Sequence, residues 1–213
     1  MVPPKAAFRR NEPRFRPQPT VLVICEDSKS SKTYLNDVKL YFRAQLRLAV
    51  THCGKTDPAG IVSEGIRQSK QFDRVFCVID RDEHQNFDEA VQLASSKPKV
   101  TVVPSYPCFE YWLLLHFGYT RKPYQRSGAK SPADCLIDDL KLHPGMSDYA
   151  KGAKVSPFTT LSVAQFTDAR AHAARALVEA IQVRELNPST TLHQLIDVIE
   201  ELGSPIPIGK TIK

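Results

Sequence analysis

The fold of this chain is decided by VLVICE at residues 21–26 and by VFCVIDRD at residues 75–82. Each stretch contains five apolar residues, mostly β-branched or aromatic, which predict a strand buried on both faces, as in a parallel sheet. Each strand then ends in acidic residues. Carboxylates just beyond the carboxyl ends of such strands lie where open α/β sheets bind their ligands. The sequence therefore predicts an α/β fold with an acidic site at one edge of a parallel sheet.

The acids of this predicted site are Glu26, Asp80 and Asp82. In an extended segment Asp80 and Asp82 share one side, so both could reach one metal pair, and Glu26 could approach from a neighbouring strand. Converging carboxylates repel one another unless a cation lies between them. Mg²⁺ prefers oxygen ligands and is typically bound by one or two carboxylates together with substrate phosphates. We therefore expect Mg²⁺ (or Mn²⁺) and metal-activated attack on a phosphodiester.

The DxD pattern also occurs in plain structural loops and in enzymes that are not nucleases. The simplest alternative is an acidic strand-to-helix loop without a ligand, because Asp is a favoured N-cap residue. The presence of Glu26 after a matching strand makes this alternative weaker. A nucleotide-sugar transferase also carries DxD after an apolar strand and is a rival. A phosphatase of the haloacid dehalogenase type would carry DxD on the first strand, followed by Thr, whereas Glu83 and His84 follow it here. No GxxxxGK[ST] or GxGxxG occurs, so an NTPase or dinucleotide-binding fold has no support.

The net charge of +6 is concentrated in two stretches. Residues 1–19 are rich in arginine and proline and predict a mobile, disordered basic arm. The second stretch, Tyr119 to Pro132 (the basic loop), holds four cations, no acid and two tyrosines that could stack on bases. A solubility tail and a solvated loop explain the charges equally well, but an acidic site that admits a polyanion needs positive charge nearby. With a lysine after Glu26, the candidate nucleic-acid contacts are Arg9, Arg10, Arg14, Arg16, Lys29, Arg121, Lys122, Tyr124, Arg126 and Lys130.

Periodicity predicts one α/β domain over residues 20–202 with a helical C-terminal portion, followed by a loosely held tail at 203–213. The predicted strands are 20–25, 48–52, 74–79 and 100–103. The predicted helices are 29–48, 58–70, 87–94, 108–117, 133–142, 162–183 and 191–202, with an irregular loop at 143–160. No apolar run approaches the roughly 20 residues that span a bilayer, and no signal-peptide core is present, so we expect a cytoplasmic protein without membrane contact. Five cysteines without CxxC spacing predict structural thiols in a reducing compartment.

A Glu after a first strand and DxD after a later one resemble the Toprim domain of topoisomerases, primases and repair nucleases. The block PCFEYWLLLHF at residues 107–117 makes the resemblance more specific, because together with the basic arm and NPST at 187–190 it resembles the RloB family. The resemblance covers most of the chain, and residues 108–117 are its most specific part.

This resemblance implies a Toprim-like, Rossmann-like parallel sheet flanked by helices. It also implies a metal-dependent nuclease of DNA or RNA, tRNA included, with catalytic and metal-binding roles at Glu26, Asp80 and Asp82. Members of the family are prokaryotic, are encoded beside an AAA-type ATPase or restriction–modification genes, and are implicated in phage defence. An AAA-type ATPase partner is therefore expected.

The chain departs from the family pattern directly after Glu26. Related sequences often continue with a glycine and further acids, whereas residues 27–31 are DSKSS here. Glu110, which follows a proline break, could supply the missing metal ligand; the alternative is a helix-start glutamate that meets the helix dipole. The missing acids also support a second hypothesis, a catalytically inactive Toprim-like adaptor that binds nucleic acid or the ATPase. We interpret His84 as a solvent-exposed loop residue, and His116 and Trp112 as core residues.

Overall fold

A sheet of five strands forms the centre of the protein within residues 19–151 and 156–204, which the computed structural model describes. The strands are β1 (Val21–Cys25), β2 (Leu48–Thr51), β3 (Arg74–Asp80), β4 (Val100–Tyr106) and β5 (Ser189–Thr190), in the order β2-β1-β3-β4-β5. β1 to β4 pair in parallel, whereas β5 runs antiparallel to β4. The predicted mostly parallel, Rossmann-like sheet is thus confirmed. β5 was not predicted, because two polar residues carry no apolar pattern.

Helices cover both faces of this sheet. They are α1 (Ser31–Tyr41), α2 (Pro58–Gln68), α3 (Phe87–Ser95), α4 (Glu110–Leu114), α5 (Pro132–Leu140), α6 (Val163–Val183) and α7 (Leu192–Gly203), with a 3₁₀ turn at Pro157–Thr160. None of the helices that the structure describes is long and apolar enough to cross a bilayer. Arg9, Arg10, Arg14 and Arg16 of the predicted arm, and residues 205–213 of the predicted tail, lie outside the described residues.

The sheet separates two hydrophobic cores, which explains why β1 reads as a continuous apolar run. Val21, Val23 and Cys25 face a large core shared with α1 and α4 to α7. Leu22 and Ile24 face a smaller core built with α2 and α3. Because alternate residues of a strand point to opposite faces, a strand covered on both sides must be apolar throughout.

Two predicted helices are shorter in the structure than the pattern suggested. α1 ends at Tyr41 instead of continuing to residue 48, because Arg43 adopts a left-handed conformation (φ +58°) that turns the chain into β2. α4 spans only Glu110–Leu114, and the residues around it are buried turns. The core assignments are confirmed, since Trp112 is 0% exposed and His116 is 3% exposed.

The register of the sheet brings the predicted acids to one edge. Cys25 at the end of β1 pairs with Val78 of β3, and the Glu26 amide donates to the Val78 carbonyl at 3.1 Å. Asp80 lies two residues farther along β3, opposite Ser105 of β4. Glu26 and Asp80 therefore stand at the carboxyl edge of the sheet, as the parallel arrangement requires.

Candidate functional site

Four carboxylates line one pocket at the carboxyl edge of the sheet; three of them come from three different elements, and the fourth, Asp27, is next to Glu26. Glu26 follows β1, Asp80 ends β3, and Glu110 begins α4. This acidic pocket encloses about 170 Å³ and is completed by residues 27–30 and by Lys151. The pocket thus contains two of the three predicted acids and the predicted additional one.

Glu26 is held in place by the next strand and by a histidine. Its Oε2 accepts a hydrogen bond from the Asp80 amide at 2.8 Å, and its Oε1 lies 2.9 Å from His84 Nε2. Burial raises the pKa of Glu26, while the Asp80 amide and His84 act in the opposite direction. His84 therefore belongs to the site and is not the free loop residue that the sequence suggested.

Asp80 is oriented by the turn that precedes α4. Its Oδ1 accepts a hydrogen bond from the Phe109 amide at 2.9 Å. Burial raises the pKa of Asp80 well above its ordinary value, and the negative charges of Glu26 and Glu110 raise it further. The carboxylates of the pocket thus repel one another, as expected for acids that converge on one place.

Asp82 takes a different position from its DxD partner. β3 ends at Asp80, and Asp82 adopts a φ of +22° in a turn, with its amide donating to the Pro107 carbonyl at 2.8 Å. The extended geometry predicted for the pair is therefore wrong for its second member, and the described residues that line the pocket do not include Asp82. Burial raises the pKa of Asp82 and the charge of Lys151 lowers it. Within the described residues its buried Oδ1 has no hydrogen-bond partner.

Glu110 is the most deeply buried acid of the pocket, with 1% of the residue exposed. Its Oε1 accepts a hydrogen bond from the Tyr149 hydroxyl at 2.8 Å. Its Oε2 accepts no hydrogen bond from any described residue, and Lys151 Nζ lies 3.6 Å from it. Glu110 is also the first residue of α4, so it lies at the start of a helix, as the alternative interpretation expects, and lines the pocket as well.

Lys151 places a positive charge among these acids. Burial lowers the pKa of the Lys151 ammonium, but the charges of Glu110, Asp80 and Asp82 outweigh that effect, so its pKa is raised overall. Lys151 and Tyr149 both come from the predicted irregular loop at 143–160. No motif or periodicity marks them there, and sequence reasoning missed both.

Asp27 does not replace the acids that are missing after Glu26. Its carboxylate accepts hydrogen bonds from the amides of Lys29 (2.8 Å), Ser30 and Ser31 (3.0 Å), and from the Ser31 hydroxyl (2.5 Å). It thus caps the turn that leads into α1. Lys29 is exposed and lines the acidic pocket, a position from which its ammonium could reach a phosphate.

Three of the four cations of the basic loop are paired with acids outside the loop. Lys122 lies 2.6 Å from Asp139, Lys130 lies 2.5 Å from Asp138, and Arg126 pairs with Glu83. Arg121 donates to the Glu185 carbonyl at 2.8 Å. Tyr124 is 3% exposed and donates its hydroxyl to Asp139 at 2.9 Å, so its ring is not at the surface, where a base could stack.

The donor set of the pocket can be compared with what a metal ion needs. In the part of the chain that the structure describes, no group of three His, Cys, Asp or Glu side chains is arranged to hold a metal ion. The donors are nevertheless all carboxylate oxygens, which suit a hard divalent cation. The buried Glu110 Oε2 also lacks a hydrogen bond that such an ion would replace. The chemistry of the residues therefore fits Mg²⁺ or Mn²⁺, while the arrangement described is one with Lys151 among the acids.

The mostly parallel, Rossmann-like sheet places this protein among the α/β proteins, and its acidic pocket lies at the carboxyl edge of the sheet. The family model described as RloB-like protein matches residues 21–199, and the chain belongs to that family. The resemblance inferred from residues 21–26, 78–82 and 107–117 is thus confirmed. No curated protein and no solved structure matches the chain.

Proposed function

We propose that this protein is a Toprim-like, divalent-metal-dependent nuclease that hydrolyses phosphodiester bonds of DNA or RNA. The observation that carries the proposal is the convergence of Glu26, Asp80 and Glu110 on one pocket at the carboxyl edge of a parallel sheet. Mutual repulsion, reflected in the raised pKa of Asp80, favours a bound cation. Glu26, Asp80 and Glu110 would hold Mg²⁺ or Mn²⁺, with Asp82 as the neighbouring acid from the turn.

The metal would stabilise the charge that develops on the phosphate and on the leaving oxygen. The protein supplies orientation. The Asp80 amide and His84 fix both oxygens of Glu26, and the Phe109 amide fixes Asp80. An ionised carboxylate can only accept hydrogen bonds, so His84 must carry a proton on Nε2 while Glu26 is ionised. Lys29, exposed beside the pocket, would bind a phosphate of the substrate and keep it near the acids.

We extend the proposal to a role in phage defence as the effector of an AAA-type ATPase. The support is membership of the RloB-like family, together with what the resemblance to that family implies. Nucleic-acid contacts from the basic arm belong to the same proposal, and they fall on residues that the structure does not describe.

A second candidate function is a catalytically inactive adaptor that binds nucleic acid or the ATPase. It is favoured by two observations: the carboxylate of Asp27 is engaged by the turn that leads into α1, and Lys151 already lies among the carboxylates. In this case the pocket would no longer bind a metal ion, and the ammonium of Lys151 would balance the carboxylates instead.

Calorimetric titration with Mn²⁺ separates the two functions. We expect the wild-type protein to bind Mn²⁺ and Asp80→Asn to lose binding, because the amide still accepts from Phe109 but no longer carries charge. Asp168→Asn, a change at an exposed acid on α6, is the matched control and should bind like the wild type. Cleavage of single-stranded DNA, duplex DNA and RNA is then assayed with the same three proteins.

Absence of Mn²⁺ binding, or binding that Asp80→Asn leaves unchanged, would contradict the nuclease and support the adaptor. Binding without cleavage of any of the three nucleic acids would contradict the hydrolytic activity of the protein on its own.

A further inference from the structure

The acidic pocket contains a cation that belongs to the chain itself. Lys151 Nζ is 3.6 Å from Glu110 Oε2, and its positive charge also lowers the pKa of Glu26, Asp80 and Asp82. Three carboxylates of the pocket, Glu26, Asp80 and Glu110, and the neighbouring Asp82 therefore interact with one ammonium group.

The hold on this ammonium is loose. At 3.6 Å the Lys151–Glu110 pair is an ion pair without a hydrogen bond, and Glu110 Oε2 stays unsatisfied although only 1% of its side chain is exposed. The Lys151 side chain is 49% exposed, so it can move into solvent without disturbing the core. A well-made buried pair would instead be short and hydrogen-bonded on both sides.

The charge of the pocket is also balanced only in part. Lys151 lowers the pKa of Asp80, yet burial and the charges of Glu26 and Glu110 keep that pKa well above its ordinary value. One positive charge is too little to balance Glu26, Asp80 and Glu110 together. A divalent cation brings twice the charge and binds carboxylate oxygens directly, so it would compete effectively for the same place.

We propose that Lys151 is a tethered counter-ion of the acidic pocket, which competes with the divalent cation for Glu110 and thereby sets the affinity of the site for metal. This inference rests on the proposed metal site. The ammonium holds the carboxylates together while no metal is bound, and it leaves for solvent when a divalent cation enters. Lys151 is thus a residue that determines the affinity of the site without being a metal ligand.

The test compares Lys151→Met, which keeps the length of the side chain without its charge, with Lys151→Arg, which keeps the charge. Lys70→Met, at an exposed lysine beyond α2, is the control for loss of one surface charge. Mn²⁺ affinity is measured by calorimetry at one ionic strength, and thermal melting is recorded in EDTA and with saturating Mn²⁺.

We expect Lys151→Met to bind Mn²⁺ about tenfold more tightly than the wild type, since removing a like charge a few ångströms away favours the cation. In EDTA the same variant should melt at a lower temperature, and Mn²⁺ should raise its melting temperature more than that of the wild type. Lys151→Arg and Lys70→Met should stay close to the wild type in affinity.

If Lys151→Met binds Mn²⁺ as tightly as the wild type or less tightly, Lys151 does not compete with the cation, although the metal site itself is confirmed. If neither the wild type nor Lys151→Met binds Mn²⁺, the proposed metal-dependent function fails together with the competition. An unchanged melting temperature of Lys151→Met in EDTA would overturn the role of Lys151 as a counter-ion.

Discussion

The acidic pocket and the basic loop handle charge in opposite ways. In the basic loop Lys122, Arg126 and Lys130 each have a carboxylate partner, and ion pairs so exposed to solvent contribute little to stability. In the acidic pocket, Glu110 and Asp80 act on the loosely held Lys151, and the pKa of Asp80 is raised. Charge that is paired at the surface is neutralised there, whereas buried charge that is left unbalanced is a common feature of functional sites. The sequence pointed to both regions, and only one of them keeps its charge unsatisfied.

The largest expected effect comes from removing the carboxylate of Glu110, compared with removing the carboxylate that pairs with Lys130 of the basic loop. Glu110→Gln should weaken Mn²⁺ binding by about a hundredfold, equivalent to about 2.7 kcal/mol, because a buried charged donor is lost while the amide oxygen still accepts from Tyr149. Asp138→Asn, which removes the partner of Lys130, should leave the affinity unchanged. Calorimetry measures both, and an equal loss in the two variants would abolish the contrast between the regions.

The next effect concerns the hydroxyl that supports Glu110. Tyr149→Phe removes the hydrogen bond to Glu110 Oε1 and leaves both oxygens of a buried carboxylate without one. We expect the free energy of unfolding without metal to fall by about 1–3 kcal/mol, the usual cost of an unsatisfied buried polar group. Urea denaturation in EDTA measures it, with Tyr41→Phe at a half-exposed ring as the control. Similar losses in both variants would show that the Tyr149 contact contributes nothing specific.

A smaller effect of opposite sign is expected for Asp80→Asn in the absence of metal. The variant should be more stable than the wild type at neutral pH, because its amide lacks the charge whose burial and repulsion by Glu26 and Glu110 raise the pKa of Asp80. A raised native pKa means that the folded protein binds the proton more tightly, so the wild type is penalised only where Asp80 is ionised.

The difference in stability between Asp80→Asn and the wild type should therefore be full above the raised native pKa. It should close as the pH falls below the ordinary value of 3.8, where Asp80 is protonated in both the folded and the unfolded wild type. Urea denaturation at several pH values in EDTA measures it. A difference that does not change with pH, or a wild type that is the more stable form, would contradict repulsion in the pocket.

The smallest effect is expected for nucleic-acid binding by single lysines. Lys29→Met should weaken binding and reduce the salt dependence by about one phosphate contact, because Lys29 is exposed beside the pocket. Lys130→Met should change the affinity for nucleic acid and its salt dependence less, since Lys130 is paired with Asp138. Fluorescence titration of a labelled oligonucleotide at several salt concentrations measures this. A larger loss for Lys130→Met would move the interface to the basic loop.

Several features were predictable because their signals are local. Residues 21–25 and 75–79 are apolar throughout because two cores cover the sheet, and this shows in the sequence as two runs. Glu26 and Asp80 follow these runs directly, so their place at the carboxyl edge needs nothing beyond parallel pairing. The turn at Asp82 was missed because DxD spacing indicates a shared side only if the strand continues, and β3 ends at Asp80.

The contacts that make the site are long-range ones. Tyr149 reaches Glu110 across 39 residues and His84 reaches Glu26 across 58, and neither pair has a characteristic spacing. The basic loop appears acid-free along the chain, yet its partners Asp138 and Asp139 come from α5 and Glu83 comes from the turn after β3.

Hydrophobic periodicity and strand ends are properties of neighbouring residues, so the sequence was enough to predict the parallel sheet, its two covering layers and the edge that holds Glu26 and Asp80. The folded structure was needed to show which acids share a pocket, that Lys151 lies among them, and that three of the four cations of the basic loop pair with carboxylates. Those outcomes depend on where distant loops pack, and on how burial changes the free energy of each charge. The two strands that lead to Glu26 and Asp80 thus fix the position of the pocket, and the residues packed around them determine its charge.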